Sequence, residues 1–212
     1  MSHPDASGAP DTRPIEPGEI WDNPVSRERL VIVAVPWSND QGRLVFDMTA
    51  LPGARVVGEH MHPALHESFT VQEGELTVLR DGQRSILRAG ERGDVEPGVR
   101  HDWWNESDRD AIVHVEITPG ERFAHMIETF FGLAREGHVN KRGMPHPLQL
   151  ALTGPEFSDI LVFRKPPAAV QRVVFGALAP IARRRGYRAT YPTLSRTTLA
   201  PREPAGAQAA PD

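Results

Sequence analysis

A chain of 212 residues has room for one domain plus extensions, and 39% apolar with 25% charged residues is globular composition. The formal charge of -4, with lysine confined to Lys141 and Lys165, argues against nucleic acid or anionic lipid as a partner. The chain has no cysteine, which excludes disulfides, thiolate nucleophiles and zinc–thiolate sites.

Residues 1–24 are rich in Pro, Asp, Gly and Ser, show no periodicity and are expected to be a disordered N-terminal tail. No apolar leader is visible at the start. The most apolar run, Val173 to Ala182, is too short to cross a bilayer, so a soluble, cytoplasmic protein is expected. From 25 to 119 the pattern is β. Strands are predicted at Leu30–Val35, Leu44–Met48, Val56–His62 and Glu67–Val71, the last followed by a turn at Glu73-Gly74. Leu76–Leu79 and Ser85–Leu87 flank Asp81-Gly82, a hairpin signal. Pro97-Gly98 marks a further turn, and Ala111–Ile117 is the last strand. Many short strands at close spacing predict a sandwich or small barrel.

After Pro119 the period changes, and 120–195 reads as a helical extension. Phe123, Met126, Ile127, Phe130, Phe131 and Ala134 fall on one helical stripe, with Gly137 as a stop. A short helix is predicted over Pro147–Leu152 and a longer one over Ala168–Arg185, kinked at Pro180 and ended by Gly186. The sequence leaves open whether these helices cover the β domain or build a dimer contact. Residues 196–212 are expected to be a second disordered tail.

The chemistry concentrates in two stretches. In the first, His60 and His62 lie two apart on a predicted strand and face the same way, and Glu67 follows across a short turn. In the second, His101 stands just after the Pro97-Gly98 turn. Three imidazoles and one carboxylate suit a divalent transition metal (Fe, Mn, Ni, Cu, Co or Zn), not calcium. Four such ligands leave two positions of a six-coordinate ion for substrate, water or dioxygen. Phe69 and Val71 share strand parity with Glu67, and Trp103 and Asn105 share it with His101, so all four are candidate pocket-lining residues. Asn105 is also a candidate brace for its own loop. His66 should face away from the metal, His114 reads as a hydrogen-bonded surface residue, and His125 as solvent-facing.

These stretches resemble the two motifs of the cupin superfamily. The first, His-x-His, four residues, Glu, six residues, Gly, is met by His60, His62, Glu67 and Gly74. The second is met by Gly90, Gly98, His101 and Asn105, with Glu96 in place of the usual proline and Pro97 beside it. Ala54 stands where the first motif usually opens on glycine, next to Gly53. The resemblance spans residues 30–118 and implies a conical antiparallel β-barrel (a double-stranded β-helix or jelly roll) over 25–119, with the metal inside. It also implies a homodimer and a small-molecule substrate.

The expected function is that of a metal-dependent oxidoreductase of dioxygenase type, acting on a small, aromatic or enolisable substrate. In quercetin-dioxygenase-like cupins the residue matching Glu67 suggests a catalytic role, that of a ligand able to leave the metal and act as a base. Such a carboxyl should have a raised pKa. The alternatives are a redox-neutral isomerase or cyclase and a non-catalytic metal or small-ligand binding module.

Overall fold

Alternation of apolar and polar residues builds the sheets, and it is cleanest in the last long strand. There Ala111, Val113, Val115 and Ile117 are buried, and the residues between them are partly exposed. A computed structural model describes residues 14–56, 58–164 and 166–191, and the backbone of 196–198. In chain order its strands are β1 (Glu19–Asn23), β2 (Glu28–Ala34), β3 (Leu44–Ala50), β4 (His60–Met61), β5 (His66–Glu73), β6 (Glu75–Arg80), β7 (Gln83–Arg88), β8 (Arg92–Val95), β9 (His101–Trp104) and β10 (Ala111–Thr118). Then come α1 (Glu121–Arg135), α2 (Pro147–Glu156), β11 (Val162–Phe163), α3 (Ala168–Arg184) and β12 (Arg196–Thr198).

The strands form two antiparallel sheets. One runs β12-β1-β2-β3-β10-β5-β8 and the other β11-β4-β9-β6-β7. The expected mainly β class holds, with helices added. Of the expected conical barrel (double-stranded β-helix or jelly roll), the two antiparallel sheets are present, and among the described residues they share no ladder that closes them. Among the described residues of Val56–His62, read from sequence as one strand, the ladder is short. Only His60–Met61 forms a strand there, and Pro63 just beyond it has no N–H to extend the ladder. The Asp81-Gly82 hairpin forms as predicted, with both residues at positive φ between paired β6 and β7.

The expectation of a disordered tail over 1–24 fails at its C-terminal end. β1 pairs with β2, and Ile15 and Trp21 are fully buried. Prolines at 14, 17 and 24 give the segment a tail-like composition, but the two large apolar side chains between them bury enough surface to order it. Residues 1–13 lie outside the described residues. β12 similarly places 196–198, within the expected C-terminal tail, in the first sheet beside β1, and 199–212 fall outside the described residues.

The helices match the predicted periods. α1 buries Phe123, Met126, Phe131 and Ala134, and Gly137 adopts a φ of +75° just past its end. α2 begins with Pro147 and is capped by the His146 ring, which accepts the Leu148 N–H. α2 packs on α3 where Gly154 leaves room for the Phe175 ring. The extension is also part of the β structure, because β11 pairs with β4 and sets Phe163 opposite His60.

If β1 is integral to the fold, Trp21→Ala should destabilise the protein by about 3–5 kcal/mol in urea unfolding. An unchanged midpoint would return this segment to a tail.

Candidate metal centre

Pairing of β4 with β9 places His60 directly opposite His101, with ring centroids 4.3 Å apart. His62, just past β4, has its ring 5.0 Å from each of the other two. The second motif holds the first in place here: the Gly98 N–H donates to the His62 carbonyl at 2.8 Å, from a turn whose φ of +81° favours glycine. One nitrogen of each imidazole lies within 4.8 Å of the others. Glu67 enters from the other sheet on β5. Its Oε2 is 2.9 Å from Nε2 of His101 and 3.6 Å from Nε2 of His62.

Each ring has its other nitrogen against a backbone carbonyl. Nδ1 of His60 lies 2.9 Å from the Gly58 oxygen, Nδ1 of His62 2.7 Å from Ile160, and Nδ1 of His101 3.2 Å from Val99. A carbonyl oxygen only accepts, so each Nδ1 must carry a proton and donate it. A neutral imidazole then has a bare lone pair on Nε2, the form that binds a metal.

The cluster is deeply buried. His60 is 4% exposed, His62 2%, Glu67 5% and His101 0%. Burial, and then the neighbouring imidazoles, lower the His60 pKa to about 3, so that ring stays neutral. Burial also opposes charge on Glu67 and His101, but their contact outweighs it. It holds the Glu67 carboxyl below the usual carboxylate range and raises the His101 imidazole. This is the opposite of the raised Glu67 expected for a ligand that lets go to act as a base, because two imidazoles face the carboxylate at close range.

Nε2 of His62, Nε2 of His101 and Oε2 of Glu67 are nonetheless buried without a well-formed hydrogen bond. Buried polar atoms in folded proteins are rarely left so. Three imidazoles whose ligand nitrogens cluster together, with the Glu67 carboxylate beside two of them, have the chemistry to hold a divalent transition ion.

His60, His62 and Glu67 line a cavity of about 100 Å³, with His101 enclosed behind them. Phe69 and Trp103 line it as the strand parity predicted. Val71 and Asn105 do not, which corrects that part of the expectation. Val71 sits farther along β5 in the core, and Asn105 braces its loop by donating to the Ala50 and Arg109 carbonyls. His66, His114 and His125 stand outside the histidine cluster: His114 lies 2.7 Å from Asp47 on the sheet's outer face, and His125 is half exposed.

Sequence reasoning missed two walls of the cavity. One is α1, whose Phe123, Met126, Ile127, Phe130 and Phe131 close it, with Phe123 edge-on to His62 at 5.5 Å. The other is the β1–β2 hairpin, which contributes Asn23, Ser26 and Glu28. Glu28 shares parity with Leu30 and Ile32, a signal present in the sequence once the strand is started two residues earlier than its apolar run. Phe130, Met144, Leu161 and Phe163 also border a neighbouring cavity of about 160 Å³.

Residues 46–125 match the family model for the cupin domain. Those residues form a cupin domain. The domain thus begins in β3 and runs into α1. Similar solved structures include KdgF from Halomonas sp., 18% identical, covering 47% of this chain and 84% of that one with a TM-score of 0.41. A RmlC-like cupin from Shewanella frigidimarina is 22% identical and covers 48% and 84%, with a TM-score of 0.41. A sugar phosphate isomerase of the superfamily from Silicibacter pomeroyi is 20% identical and covers 44% and 60%, with a TM-score of 0.38. No curated protein sequence matches the chain. Among the described residues no helix is long and apolar enough to cross a membrane.

Purified under metal-replete conditions without chelator, the wild-type protein should carry about one transition ion per chain by elemental analysis. His62→Ala and His101→Ala should each lose most of it while keeping the β-rich circular dichroism spectrum. Full metal content in both variants would reject the cluster as a metal centre.

Proposed function

We propose that this cupin is a metal-dependent oxidoreductase of dioxygenase type, acting on a small, largely apolar substrate with an enolisable or hydroxyl oxygen. The observation that carries the reading is the cluster of three imidazoles and one carboxylate beside a cavity that, apart from Asn23, Ser26 and Glu28, is otherwise apolar and aromatic. A divalent transition ion held there supplies Lewis acidity and, where its valence can change, electron transfer towards dioxygen.

The chain's own residues do the rest. Gly58, Ile160 and Val99 fix the three rings by accepting their Nδ1 protons, so nothing has to reorganise before a ligand arrives. Glu67 stays charged and lowers the net positive charge of the centre. Phe69, Trp103, Phe123 and Phe131 exclude water and offer a substrate apolar contact. Both atoms of dioxygen enter the products in such a reaction, so no outside reductant is required.

Size and charge narrow the substrate. A cavity of ~150 Å³ holds one benzene molecule, so about 100 Å³ favours a ligand of that scale or smaller over a flavonol. No arginine or lysine is among the described residues that line it, which disfavours phosphorylated sugars. A redox-neutral isomerase or cyclase is the second reading. It is favoured by a second carboxyl in the cavity, Glu28, which burial raises to about 7, a suitable value for moving a proton at neutral pH.

An oxygen electrode separates the two. Protein loaded with iron(II) should consume dioxygen with a small 1,3-dione or a catechol, with both oxygen-18 atoms recovered in product. Zinc-loaded protein and His101→Ala should consume none. Substrate conversion by the zinc form without oxygen uptake would overturn the oxidoreductase reading in favour of the second.

A further inference from the structure

The metal cavity has a second polar wall that the cluster chemistry does not use. It comes from the β1–β2 hairpin, where Asn23 Oδ1 accepts the N–H groups of Val25 and Ser26 and Arg27 takes a φ of 65°. This turn brings Ser26, 5% exposed, to the cavity wall and starts β2 with Glu28 on its inward face. The next two inward positions are Leu30 and Ile32, both fully buried, whereas Glu28 is half-buried and sets a carboxyl on the cavity side where the strand otherwise presents hydrocarbon. Ser26 Oγ lies by the Glu28 carboxyl yet is buried without a well-aligned hydrogen bond.

We propose that Ser26 and Glu28 form a second binding pole of the cavity, which hydrogen-bonds the far end of a small ligand whose other oxygens sit at the histidine cluster. The proposal rests on the metal reading given above and names the substrate class for it: a short molecule oxygenated at both ends and apolar between, such as a hydroxyketone or a diol. The far end is a neutral hydroxyl or carbonyl. A carboxylate or phosphate there would face Glu28 with no cation among the described lining residues to balance it. The pole has its own polar chemistry. Burial raises the Glu28 carboxyl, Ser26 offsets part of the rise, and the charge on Glu67 adds to it, so Glu28 can offer a proton to a carbonyl or accept one from a hydroxyl. Apart from the histidines, Glu67 and this hairpin, the lining is apolar or aromatic, which leaves no other strong anchor for the far end.

The test uses cobalt(II)-loaded full-length protein and two four-carbon α-hydroxyketones. One ends in a methyl group and the other carries a hydroxyl on that carbon. Binding is read from the visible cobalt spectrum, independently of turnover. Wild-type protein should bind the hydroxyl-ended ketone about tenfold more tightly, the value of one good hydrogen bond. Glu28→Ala and Ser26→Ala should each lose most of that preference at unchanged cobalt stoichiometry. Glu28→Gln, which keeps a donor and an acceptor, should retain it. Equal affinity of the wild type for the two ketones, failure to bind either, or a preference that survives in both alanine variants overturns the second pole while leaving the metal centre standing. Failure of the wild type to take up cobalt overturns the metal reading and this one with it.

Discussion

Three backbone carbonyls decide what this protein can do. Each accepts the Nδ1 proton of one histidine, which leaves the Nε2 lone pairs of a buried cluster beside the Glu67 carboxylate. In water such a set of lone pairs would be solvated. Here burial removes that option, and the remaining partners are a cation or a proton shared between His101 and Glu67. The fold bears the cost of desolvation, and an ion of suitable softness offsets it.

One of those carbonyls joins the two parts of the chain. Ile160 lies in the extension, 98 residues beyond the histidine it orients. β11 runs beside β4 at the same place, and α1 lays its apolar stripe over the cavity. The extension is therefore a wall of the site as well as an appendage to the cupin domain. It supplies hydrogen-bonded positioning, aromatic lining and closure, and it leaves a narrow space that selects for size. The hairpin at the N-terminal end completes the enclosure, so segments from both ends of the chain shape a cavity whose ligands come from the middle.

What the sequence revealed follows from what side-chain spacing encodes. His60, His62, Glu67 and His101 were legible because a metal requires particular side chains at particular intervals, with glycines at the turns between them. The α1 stripe was legible as a helix face, but periodicity does not say what a face packs on. The carbonyl of Ile160 was invisible because backbone groups carry no residue-type signature. Trp21 was hidden by the prolines around it, and Glu28 by a strand read from its hydrophobic run, which begins two residues later. Val71 and Asn105 share parity with cavity residues but lie too far along their strands to reach it, since parity gives a face and not a depth.

The most direct test of the account is the protonation of the three rings. Long-range proton–nitrogen NMR of histidine side chains in the zinc-loaded protein should find Nδ1 of His60, His62 and His101 protonated, with all three Nε2 atoms shifted by metal coordination. A protonated, unshifted Nε2 on these rings in the loaded protein would contradict the arrangement on which the rest depends.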